Sequence, residues 1–157
     1  MTLSPTRTFA PIIAALLAMP AAQAATTIDA AHWQTLAPTL QAALECRADP
    51  DAAAKALAGL SSKLDGTDEP IKPPVPFTVF GLRVRSVSVY IDPDGDLGAS
   101  YTAQLSANAA AVRTASKLGR KPERETSMGV LSIAQDGSAQ LTCLVYGGYD
   151  ERGYQEP

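Results

Sequence analysis

The segment Asp92-Pro93-Asp94-Gly95-Asp96-Leu97-Gly98 holds the densest set of metal-type ligands in the chain. Alternating carboxylates with a glycine resemble the opening of a calcium loop, because oxygen ligands at that spacing wrap a hard cation. The rest of the twelve-residue pattern is missing. Leu97 stands at the sixth position, where glycine makes the sharp turn, and Ala103 at the twelfth, where a glutamate would close the coordination sphere. Aspartate, proline and glycine are also what a tight hairpin turn requires. The segment reads as a turn, and no metal is expected there.

His32 is the only histidine, so any Ser-His-Asp or Cys-His device would have to use it. It lies beside Trp33 with no nucleophile motif elsewhere. The acids fall in turns, at helix starts and in the C-terminal tail, where solvation explains them. The residues therefore point away from an enzyme, and no cofactor is expected. Arg83 and Arg85 on one strand, with Arg120, Lys121 and Arg124 after a helix, are candidate anion-binding residues, since guanidinium and ammonium groups hold phosphate or carboxylate. The alternative for the last three is interaction with a helix C-terminus and with Glu123 or Glu125.

The two cysteines, Cys46 and Cys143, lack the C-x-x-C spacing of a redox or zinc pair. In an oxidising compartment such a pair favours one disulfide, tying the end of the first helix to the last strand.

These residues must be positioned by a small α+β domain. Asp29 caps a first helix whose apolar stripe is Trp33, Leu36, Leu40, Ala43 and Leu44. Pro38 interrupts it, which predicts a kink near Leu36-Ala37 or two short helices. Asp49-Pro50-Asp51 starts a second helix with Ala53, Leu57, Leu60 and Leu64 on one side and Gly66 as its stop. Pro70, Pro73, Pro74 and Pro76 then impose an extended strap. Phe77–Phe80 and Leu82–Ile91 are β-rich, with Gly81 at a bend and a one-residue bulge near Arg85-Ser86 where the apolar register shifts. Ala99–Ser106 alternates cleanly. A third helix from about Asn108 to Leu118 stops at Gly119. Met128–Ala134 and Ala139–Tyr146 form a hairpin around Asp136-Gly137. The order α-α-β-β-α-β-β predicts an N-terminal helical hairpin and a third helix packed on a four-stranded antiparallel sheet. In architecture alone this resembles small envelope modules that act as inhibitors or assembly factors.

The N-terminus supplies the address. Arg7 precedes an apolar run of about 11 residues from Phe9 to Met19, then Pro20 and the A-x-A site Ala22-Gln23-Ala24. These are the parts of a secretory signal peptide, and the run is short of the roughly 20 residues that span a bilayer. The expected organisation is a signal peptide over 1–24, one domain over 25–146 and a flexible tail over 147–157, where Tyr149 and Tyr154 are candidate contact residues. The chain carries 13 basic and 16 acidic residues, a balance that does not draw nucleic acid or anionic lipid. The expected product is periplasmic or secreted, without a stable membrane anchor, and binds an unknown protein or envelope component; the alternatives are a small-molecule or anion carrier and, less favoured, a small hydrolase. Cleavage after Ala24 is expected to leave a product beginning at Ala25, and intact mass of the exported protein checks it.

Overall fold

The computed structural model describes residues 28–62 and 70–148. The signal-type segment, Leu64, Gly66, Tyr149 and Tyr154 lie outside them. Helix α1 (Ala30–Leu44) starts where Asp29 accepts hydrogen bonds from the Ala31 and His32 amides. Those bonds, His32 first, hold the Asp29 carboxyl below its ordinary value. The helix runs unbroken through Pro38 instead of splitting. Pro38 is exposed, so the carbonyl it leaves unbonded faces water, while Trp33 before it and Leu40, Ala43 and Leu44 after it are buried on the opposite side.

Helix α2 (Pro50–Leu57) is capped by Asp49, with proline in its first turn. It ends well before the position expected from its stripe. A single 3-10 turn carries Ala58–Leu60, after which Ser61 and Ser62 leave to bond the edge of the sheet. The Ser61 hydroxyl accepts from the Ile91 amide at 2.9 Å, and the Ser62 amide donates to Val89 O at 2.6 Å. Unpaired strand edges bind whatever backbone reaches them, and this one shortens the helix.

The sheet has six strands, not four: β1 (Thr78–Val79), β2 (Leu82–Ile91), β3 (Ala99–Leu105), β4 (Glu123–Glu125), β5 (Val130–Ile133) and β6 (Gln140–Val145), ordered β1-β2-β3-β6-β5-β4 and antiparallel throughout. The two extra strands are short and lie at the edges. β1 arises because Phe80 and Gly81 both adopt positive φ (50° and 76°), the two-residue hairpin geometry that matches strand twist. β4 has no β-forming composition; a Thr126 turn, whose hydroxyl accepts from the Gly129 amide at 3.1 Å, folds it against β5. The bulge in β2 lies between Val84 and Ser86, as the register shift required.

Helix α3 (Ala109–Ala115) is shorter than expected. The Lys117 amide bonds Thr114 O and the Leu118 amide bonds Arg113 O, with Lys117 left-handed at φ 59°. This closure lets Leu118 fold back into the core instead of extending the helix. Residues from all three helices join one core against Val87, Val89, Tyr101, Ala103, Leu131 and Leu141. Trp33 stacks edge-on against Phe77, ring centroids 5.2 Å apart.

Cys46 and Cys143 form the disulfide, Cα atoms 5.3 Å apart across a sequence separation of 97. Cys46 lies just beyond the end of α1. The Cys46 amide bonds Ala43 O and the Arg47 amide bonds Ala42 O, both at 3.0 Å, and Cys46 is left-handed at φ 57°. That position ordinarily takes glycine. Next to it, the Glu45 carboxylate accepts from the Phe80 amide at 2.8 Å and from Arg47 Nε at 2.6 Å. Helix α1 is thus fastened to β6 by one bond and to the β1–β2 turn by another. Replacing both cysteines with alanine is expected to cost about 2–4 kcal/mol, since a loop of roughly 100 residues is released. Cys46→Gly with Cys143→Ala is expected to recover about 1 kcal/mol of that, because glycine takes positive φ without strain. Urea denaturation of the two double variants checks both figures.

Candidate functional site

Strand alternation puts the core on one face of the sheet and leaves the other face bare among the described residues. Register fixes what lies there. Ser88 pairs with Thr102, Thr102 with Thr142 and Thr142 with Ser132, a row of hydroxyls across four strands. Thr102 and Thr142 hydrogen-bond at 3.0 Å. One row to one side lie Ser86, Gln104 and Gln140; to the other lie Tyr90, Ser100, Leu144 and Val130. None of these side chains is charged. Leu144 is 39% exposed, and burial, then the Asp92 carboxylate beside it, raises the Tyr90 hydroxyl above its ordinary pKa.

Charge is confined to the margins. Glu123 and Glu125 extend the hydroxyl row and the Tyr90 row on β4. At the other margin, Arg83 and Arg85 are exposed on β2. Arg85 is the extra residue of the bulge, so it and Ser86 both oppose Gln104. The proline strap passes alongside and forms with this end of β2 a cleft of about 410 Å³, lined by Lys72, Pro73, Pro74, Val75, Pro76, Phe77, Arg83, Val84, Arg85 and Ser106.

The five basic residues singled out from the sequence therefore do not form one cluster. Arg124 is level with Val89 across β5, β6 and β3, about 19 Å away at four strand spacings. It donates from Nε to Ser116 O at 3.1 Å, just past the end of α3, and Arg113 donates to Lys121 O at 2.9 Å. Arg120 and Lys121 are exposed in the same connection. Sequence reasoning missed Lys72, which comes to the arginines only because the strap runs antiparallel past β2. Ile71 exchanges two backbone bonds with Val87, at 2.8 and 2.9 Å.

The aspartate segment is a turn. The Asp92 amide bonds Gly98 O, and its carboxylate accepts from the Leu97 amide at 2.9 Å. Asp94 and Asp96 are exposed. Gly98 is required sterically, since a Cβ there would overlap the Val145 carbonyl oxygen. Gly147 and Gly148, read from the sequence as the start of a flexible tail, are held against this turn, with the Gly148 amide donating to Gly95 O at 3.0 Å. His32 is exposed on the first turn of α1. Among the described residues no group of three or more His, Cys, Asp or Glu side chains converges to hold a metal, and no helix is long and apolar enough to cross a membrane.

Compared with known proteins, the chain matches no family model, no curated protein and no solved structure. If the Asp92–Gly98 segment serves only as a turn, calorimetric titration at micromolar calcium gives no heat, and Asp94→Ala leaves both that result and the unfolding midpoint unchanged.

Proposed function

We propose that this chain is an exported, non-catalytic module that binds a protein or cell-envelope component through the uncharged outer face of its sheet. The observation that carries the reading is the composition of that face. A merely solvated sheet face accommodates lysine and glutamate freely, yet here Ser88, Thr102, Thr142, Ser132 and their neighbours exclude charge between two charged margins. Serine and threonine lose little rotamer freedom when covered, whereas long charged side chains lose up to about 2 kcal/mol each. Their hydroxyls donate and accept, so they can meet polar groups of either type. Tyr90, Val130 and Leu144 add a modest apolar strip along one side.

Export is supported by the leader-type N-terminus, and the buried Cys46–Cys143 disulfide is compatible with an oxidising extracellular compartment. The fold supplies the rigidity that such a surface needs, because the row crosses the two central strands, β3 and β6. Ser88→Lys with Thr142→Lys places two charges on the row, two strands apart. The double variant is expected to lose the partners that the wild-type protein captures from an envelope extract, while Gln34→Lys on the exposed side of α1 retains them. Equal capture by all three proteins, each with an unchanged unfolding midpoint, would remove the sheet face from the proposal.

A further inference from the structure

We infer that the cleft between the proline strap and the bulged end of β2 is a binding site for a multiply charged oxyanion, a phosphate or polycarboxylate group, held by Lys72, Arg83 and Arg85. This site is separate from the hydroxyl face and does not depend on it. Its first support is charge. Three cations line one cleft of about 410 Å³, and among the described residues no acid lines it. Among the described residues the only ion pair within 4 Å is Arg47 with Glu45, so none of the three is neutralised there. Arg83 and Arg85 are two residues apart on the exposed side of one strand, about 7 Å along it. Like charges that close repel one another, and an anion of charge two or more between them turns that repulsion into attraction.

The second support is rigidity. The strap is held to β2 by the paired Ile71–Val87 bonds and by the Val84 amide donating to Phe77 O at 3.0 Å. On the other side the Ser106 amide donates to Arg83 O at 2.8 Å. Pro73, Pro74 and Pro76 fix their own backbone angles. A cleft already held in shape loses little freedom when a ligand enters. Prolines also have no N–H to offer an anion, so recognition falls to the side-chain cations, and the two guanidinium forks provide bidentate geometry for oxyanions. The cleft is much larger than one bare phosphate. Its wall of Val75 and three prolines suits a ligand whose anionic group is attached to a small apolar body.

The same residues separate this site from the remaining basic groups. Arg124 and Arg113 already donate to backbone carbonyls around α3, and with Arg120 and Lys121 they lie toward the opposite margin. They form the internal control. The mature protein is titrated calorimetrically at low ionic strength with inorganic phosphate and, separately, with propane-1,2,3-tricarboxylate; preference between the probes assigns the ligand to the phosphate or the carboxylate class. Saturable binding of at least one probe is expected. It weakens about tenfold or more in Arg83→Gln/Arg85→Gln, consistent with loss of charge-assisted bonds. It weakens less in Lys72→Gln and stays unchanged in Arg120→Gln/Lys121→Gln. Absence of saturable binding for both probes overturns the inference, as does an equal loss in the two double variants, which would mean a response to net charge alone.

Discussion

The molecule depends on the junction at the end of α1. Within three consecutive residues the chain stops a helix, crosses to the last strand and reaches the first hairpin. Cys46 bonds Cys143 on central strand β6, while Glu45 holds the Phe80 amide and Arg47. The Glu45 side chain is only 10% exposed and its Arg47 partner 59% exposed, so its bonds to the protein replace the water it has lost. The bond from the Phe80 amide to this charged group is worth about 1.5–3 kcal/mol, and the pair with exposed Arg47 about 0–1 kcal/mol. The hairpin that Glu45 holds sets the direction of the strap, and the strap completes the cationic cleft.

Much of this architecture was legible because it was local. Asp29 and Asp49 cap the helices they precede, since a carboxylate ahead of an apolar stripe satisfies free amides without tertiary help. The bulge at Arg85-Ser86 followed from a change in apolar phase; the disulfide, though distant in sequence, followed from there being only two cysteines. What could not be read was decided at a distance. Helix α2 ends where it does because the β2 edge competes for Ser61 and Ser62, and β4 is a strand only because β5 is beside it. Lys72 had no local signature at all. It reaches the same cleft as Arg83 through a pairing between residues 71 and 87, far outside any periodicity window. The hydroxyl row was present in the sequence as the polar half of each alternation, but its continuity needed the register of four strands.

The two faces of the sheet divide the chemistry between them. Toward the helices, Tyr101 is fully buried, and its hydroxyl has no hydrogen-bond partner among the described residues; burial raises its pKa. Toward the outside, hydroxyls and amides are plentiful and charge is absent until the margins. Cations stand at the β2 end and anions at β4, so the surface has an electrical direction across its strands. A partner that matched it would be oriented before contact was complete.

The pairing of Cys46 with Cys143 also sets an order of events in time. A chain emerging from its N-terminus, whether from a ribosome or through a translocation pore, presents α1, α2 and the first three strands before β6 exists. Helix α1 then has only half of the sheet centre to pack on, because β6 pairs with β3 in the middle of the order. The separation of 97 residues between the two sulfur atoms makes closure a late event, and topologies with such distant contacts fold slowly. Until the final strand arrives, the apolar stripe of α1 is only partly covered by its native sheet. Closure of the disulfide therefore waits until β6 has emerged.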